Sequence, residues 1–107
     1  MENNSVQRAL SMIGLCKKAG RLISGVPLVC DAMRDGRVHL TVYAASAAEN
    51  SVKRITDKAA FYEVSCRALD TTPEQLARSI GKTGSVAAIG IADGGFAEAI
   101  RKIIDGN

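Results

Sequence analysis

Apolar positions along this chain switch between two spacings, one suited to a helix and one suited to a strand. Val6, Ala9, Leu10, Ile13 and Cys16 recur every three or four residues and predict a first helix that Gly20 can end. Residues 21–24 read as a short β segment. Val26, Val29, Cys30 and Met33 fall at i, i+3, i+4 and i+7, which predicts a second helix ending near Gly36. Residues 38–44 form an apolar, β-branched run that reads as a buried strand. Val52, Ile55 and Ala59 mark a third helix with charged residues on its other face. Residues 64–69 read as a further strand. Thr72-Pro73-Glu74-Gln75 then opens a short helix, with Thr72 as cap, Pro73 in the first turn and Gln75 closing a capping box. Residues 85–92 form a small-residue strand buried on both faces, and Asp93 caps a last helix carrying Phe96, Ile100, Ile103 and Ile104 on one side.

Helix and strand therefore alternate from end to end. Alternation with short connections predicts an α/β chain with helices on both faces of a small, largely parallel sheet. In such a sheet the helix-to-strand junctions at Gly20 and at residues 81–85 would share one rim. No linker, internal repeat or low-complexity tract interrupts the pattern, and 107 residues suit a single domain spanning 1–107.

Composition narrows the possibilities. A domain of this size needs no disulfide or metal to fold. With two Phe, two Tyr and no Trp the core must be aliphatic, and a single-strand binder built on stacked aromatics is disfavoured. Cys16, Cys30 and Cys66 are an odd set without C-x-x-C spacing and read as structural, reduced thiols. There is no leader pattern and no apolar run near the length of a membrane span, so a cytoplasmic protein with no membrane partner is expected.

Charge is unevenly spread. The net charge is +3, yet residues 1–60 carry +4 and residues 61–107 carry −1. Such asymmetry points to a polyanionic partner, although a solvated basic face would look the same. The densest feature is Lys17-Lys18-Ala19-Gly20-Arg21-Leu22-Ile23-Ser24-Gly25. Lys17, Lys18 and Arg21 surround a glycine turn, and Ser24 or Gly25 caps the second helix, leaving backbone N–H groups free at its start.

Other stretches carry less. Gly81-Lys82-Thr83 imitates the tail of a nucleotide P-loop, but Leu76 stands where the motif needs glycine, and the helix precedes the loop instead of following it. Asp93-Gly94-Gly95 lies between a strand and a helix, where a ligand loop or a capped turn would sit. His39 has no signature partner for nucleophilic catalysis, and its spacing from Cys30 and Cys66 suggests no metal site. Tyr43, Phe61 and Tyr62 read as core or edge packing. No catalytic residue, metal or cofactor is expected.

Met12-Ile13-Gly14-Leu15-Cys16-Lys17-Lys18-Ala19-Gly20-Arg21-Leu22-Ile23-Ser24-Gly25 resembles the opening of bacterial YlxQ-type proteins. These belong to the L-seven-Ae family of ribosomal proteins, whose members bind kink-turn RNA. The similarity runs on through Asn50, Asp57-Lys58, Ile80-Gly81-Lys82 and Asp93-Gly94-Gly95-Phe96-Ala97. The resemblance implies a three-layer α-β-α sandwich with a small four-stranded mixed sheet, which differs from the largely parallel sheet read from the pattern. It also implies a non-enzymatic, ribosome-associated or RNA-associated protein. In the family, the start of the second helix and the loop before the last strand grip the RNA together, which maps here to Gly25 and to Gly81, Lys82 and Thr83. Lys17, Lys18, Arg21 and Ser24 join the candidate site from charge and position alone.

The family's recognition motif reads Gly-x-Asn-Glu-x-x-Lys. Here Gly25 matches, Pro27 and Leu28 replace the asparagine and glutamate, and Asp31 replaces the lysine. Ala45 and Ser46 stand at positions that are often Glu-Asp. Losing such side chains costs specificity more than affinity, because phosphate contacts position a protein while base contacts specify. Two functions compete: a module for structured RNA, with ribosomal RNA and a kink-turn as the implied target, and a protein-interaction module on the same fold. A ribosomal or RNA-processing protein is the implied protein partner. A small enzyme holding an anion at Asp93-Gly94-Gly95 is a third, weaker reading.

Overall fold

The computed structural model describes residues 3–106. Its elements are α1 (Asn3–Lys18), β1 (Leu22–Ser24), α2 (Val26–Arg34), β2 (Leu40–Ala44), α3 (Glu49–Phe61), β3 (Ser65–Leu69), α4 (Pro73–Ser79), β4 (Ala88–Ile91) and α5 (Gly94–Asp105). The predicted elements occur in the predicted order. Two strands are shorter than the apolar runs suggest, because Val38 and Val86 are buried by packing without joining the sheet.

The sheet has four strands in the order β1-β4-β2-β3. Only β2 and β3 run parallel; β4 is antiparallel to both β1 and β2. The largely parallel sheet expected from alternation is thus corrected to a mixed one. An apolar period is the same read in either direction, so it carries no information on strand polarity. One consequence governs the surface. The ends of β1, β2 and β3 and the start of β4 all meet at one rim of the sheet.

Strand alternation splits the core into two layers. Leu40, Val42, Ala44, Ile89 and Ile91 face α1, α4 and α5, where Ile13, Leu76 and Ile100 are fully buried. Ala88, Tyr43 and Cys66 face α2 and α3, against Val29, Met33 and Ile55. This is the α-β-α sandwich that the resemblance implies. The caps are also as predicted. Thr72 Oγ1 accepts from Gln75 N at 3.0 Å, and Gln75 Oε1 accepts from Thr72 N at 3.2 Å. Asp93 Oδ2 accepts from Phe96 N at 2.8 Å. Among the described residues no helix is long and apolar enough to cross a membrane.

Helices α1 and α4 touch at a glycine. A Cβ built on Gly14 would stand 2.8 Å from the carbonyl oxygen of Ser79, too close for either backbone to remain in place. Gly14→Ala should therefore lower the midpoint of thermal unfolding, since overpacking against backbone costs about 1–3 kcal/mol and the helix-propensity gain of alanine returns only about 1. An unchanged or raised midpoint would show that the two helices separate freely. A second prediction concerns Thr41, whose Oγ1 is buried without a hydrogen-bond partner on the face of β2 turned to α2 and α3. Thr41→Val keeps the shape and removes the unpaired hydroxyl, so urea unfolding should show a gain of about 1 kcal/mol.

Candidate nucleic-acid interface

The turn from β1 into α2 is built on Gly25. Its backbone sits at φ 96° and ψ 138°, a conformation that side chains rarely adopt, and nothing stands within 4 Å of where a Cβ would be. Glycine is required here by the backbone, and the space above it is open to an approaching ligand. Gly25 N–H donates to the carbonyl of Ala88 at 2.9 Å, and Gly25 O accepts from Val29 N at 2.9 Å. No side chain caps α2. Ser24 instead ends β1, paired with Ile89, so of the two capping residues expected from sequence the structure selects Gly25. Pro27 lies in the first turn and has no N–H. The main-chain N–H groups of Val26 and Leu28 remain as donors without an intrahelical acceptor.

The loop between α4 and β4 lies beside this turn. It is tied down at both ends. Lys82 N–H donates to Ala77 O at 2.9 Å, Val86 N–H donates to Pro73 O at 3.0 Å, and Ala87 O accepts from Ala44 N at 2.9 Å. Between these ties Gly81, Lys82, Thr83, Gly84 and Ser85 are exposed. The Gly25–Ala88 hydrogen bond thus joins the open start of α2 to the root of an exposed, lysine-bearing loop. Ala45 and Ser46, which follow β2, lie exposed at the same rim.

The remaining basic residues are placed elsewhere. Lys17 and Lys18 line a groove of about 740 Å³ between α1 and α4, together with Arg78 and Gly81. Gly81 is the corner shared by groove and loop. Arg21 stands at the far end of β1 from Gly25, about 13 Å away along the strand, where its carbonyl accepts from Ala92 N. Ser24 and Gly25 are therefore tied through Ala88 to the root of the loop that carries Gly81, Lys82 and Thr83, Gly81 shares the groove with Lys17 and Lys18, and Arg21 is an outlying charge. Arg78 is absent from the sequence-based site; an arginine in the last turn of a short helix reads as a solvated face.

Some of the cations elsewhere are taken up in ion pairs. Arg67, Arg101 and Lys102 are held by Asp105 and Glu98 on the β3–α5 side. The guanidinium of Arg101 and that of Arg67 hold the Glu98 and Asp105 carboxyls, respectively, below their ordinary range. Among the described residues Lys17, Lys18, Arg21, Arg78 and Lys82 form no ion pair. Asp31 lies 3.7 Å from Arg34, which offsets part of its charge on the exposed side of α2.

The other candidates resolve into structure. Gly81-Lys82-Thr83 follows α4 and precedes β4, the reverse of P-loop order. Asp93 caps α5, and Gly94 and Gly95 are its first residues. His39 is exposed beside a cavity of about 230 Å³ that it shares with Glu98 and Arg101, which are already bonded to each other. Among the described residues no three His, Cys, Asp or Glu side chains converge to hold a metal. Tyr43 and Tyr62 pack against the α2–α3 layer, whereas Phe61 is 75% exposed and meets Tyr62 edge-on at 4.9 Å.

The fold and the sequence can both be compared with known proteins. The fold is that of a Giardia lamblia 15.5 kD RNA-binding protein, matched at a TM-score of 0.75 with 11% identity over 94% of this chain and 86% of that one. A Bacillus halodurans protein described as of unknown function matches at a TM-score of 0.83 with 30% identity, over 91% and 96% of the two chains. In sequence, the RNA-binding protein YlxQ of Enterococcus faecium is 36% identical over 99% of this chain and 100% of its own length. That of Bacillus subtilis is 32% identical over 88% and 92%. No family model matches the chain. The chain belongs to the YlxQ family and has the L-seven-Ae fold that its opening segment resembles.

Cys16 ties the basic turn to this scaffold. Its thiol donates to the carbonyl of Arg21 at 3.3 Å, and burial, reinforced by the nearby Asp93 carboxylate, pushes its pKa from 9.0 up to about 11. The thiol should resist alkylation at pH 8 in the native protein and react on unfolding, as mass spectrometry would show. A folded pKa above the unfolded one means the contribution to stability is complete below pH 9.0 and is lost as pH rises toward about 11. Rapid native labelling at Cys16 would mean that the α1–β1 junction opens.

Proposed function

We propose that this chain, acting as one domain over residues 1–107, is a non-catalytic, cytoplasmic RNA-binding module for structured RNA. The observation that carries the reading is the Gly25–Ala88 hydrogen bond, which ties the open start of α2 to the root of the exposed loop bearing Lys82 and Thr83. Backbone N–H groups and a lysine suit phosphate oxygens, and the open space above Gly25 admits a close backbone approach. Lys17, Lys18 and Arg21 flank the contact and draw a polyanion toward it. The YlxQ relatives carry RNA-binding names, which supports the same partner class. The family resemblance supports a kinked duplex in ribosomal RNA as the target.

The rim reads backbone more than bases. Pro27 and Leu28 replace the side chains expected to touch base edges, and Leu28 is 60% exposed. Each lost base-edge contact removes about 1–3 kcal/mol of discrimination. Titration against a kink-turn RNA, and against a control with its sheared G·A pairs replaced by Watson–Crick pairs, should give binding to both. The preference for the kinked form should stay below about tenfold, with a steep loss as salt rises. Lys17→Glu combined with Lys82→Glu should weaken binding strongly while leaving the circular dichroism spectrum unchanged. It should also flatten the dependence on salt by about one per lost phosphate contact.

The exposed apolar pair Pro27 and Leu28 favours a second reading, a protein-interaction module that has lost RNA affinity. Absence of binding to either RNA at low salt, together with a protein complex or self-dimer that survives nuclease, would favour it over the first.

A further inference from the structure

The groove between α1 and α4 lies outside the rim that joins Gly25 to Lys82. Among the described residues its walls hold three cations, Lys17, Lys18 and Arg78, and no aspartate or glutamate. Among the described residues none of the three is neutralised by an ion pair. The floor is different in kind. Leu10 and Ile80 are buried beneath it, and Leu15 stands at its edge with 52% of its surface exposed. The contact of Gly14 with the Ser79 carbonyl fixes the depth, because the two helices touch there.

We propose that this groove is a docking site for an acidic amphipathic segment of a protein partner. The charge of the walls calls for carboxylates, and the exposed leucine calls for an apolar side chain three or four positions away on the same face. A helix carrying Leu and Glu at such spacing presents both at once. An RNA duplex fits less well. Packed helices lie about 8–10 Å apart, so the cleft between them admits side chains but not a convex duplex. A phosphate backbone also offers no apolar group to cover Leu15. The segment would contact Lys17 and Lys18 at the corner next to the RNA rim, but Arg78 and Leu15 belong to the groove alone.

A fluorescein-labelled, alanine-based helical peptide with a stripe of Leu and Glu at i, i+3, i+4 and i+7 tests this against the full chain. Anisotropy should rise on binding, and amide shifts should concentrate at Ser11, Leu15, Ser79 and Gly81. Replacing the peptide's Glu by Gln, or its Leu by Ser, should abolish both effects. Arg78→Glu and Leu15→Ser should each weaken the peptide by about fivefold or more and leave kink-turn RNA affinity within about twofold. No binding of the acidic peptide, or equal binding of the Gln form, overturns the proposal. So does a loss of RNA affinity in Arg78→Glu as large as the loss of peptide affinity, because the groove would then hold RNA.

Discussion

The antiparallel pairing of β4 with both of its neighbours is the constraint on which the surface depends. Had β4 run the other way, the loop that precedes it would lie at the opposite rim, beside the α1–β1 turn, and away from the start of α2. Its actual direction brings Ala88 to Gly25 and Ala87 to Ala44, so three connections from distant parts of the chain meet within a few hydrogen bonds. Buried on both faces and paired on both edges, β4 cannot shift register without turning Ile89 and Ile91 out of the core. The rim inherits that rigidity. A loop anchored by Lys82 N–H at one end and Val86 N–H at the other is free only in its exposed middle.

Much of this was legible in the sequence, and the reasons differ by element. Helix and strand positions followed from apolar spacing, since each element buries one face. The Thr72–Gln75 box and the Asp93 cap were readable because capping is local chemistry between residues three apart. Strand polarity was not readable from pattern, and came only with the family resemblance. Ser24 was a plausible cap by composition, but its pairing with Ile89 commits it to the sheet. Phe61 shows the limit of residue type: a large aromatic at the end of α3 stays exposed because the helix turns that face to water. Arg78 became part of a site only through the α1–α4 contact, which depends on the absence of a Cβ at Gly14.

Charge behaves similarly. The half-chain asymmetry pointed to a polyanion, but position along the chain is a poor guide to position on the surface. Arg67 and Arg101, both from the acidic half, are consumed by Asp105 and Glu98. Arg78 and Lys82, from the same half, are unpaired and join Lys17 and Lys18 across Gly81. Among the described residues Arg8, Arg37, Arg54 and Lys58 are unpaired too, so what distinguishes Lys17, Lys18 and Arg78 is that the fold gathers them around one groove. Net charge would not have shown this.

The start of α2 sets how far the surface can discriminate. Pro27 removes one of the first-turn donors and stiffens the turn, while Leu28 adds an exposed apolar group where a polar one would read a base. The donors that remain belong to the main chain, and a main-chain N–H meets any phosphate alike. Specificity must then come from shape: the angle between the open Gly25 turn and the Lys82 loop, held by one hydrogen bond to Ala88. If the rim binds RNA as proposed, a nucleic acid that bends toward both elements gains more contacts than one that stays straight. That gain stays modest, because a main-chain donor meets any phosphate alike and no side chain of the motif reads a base edge.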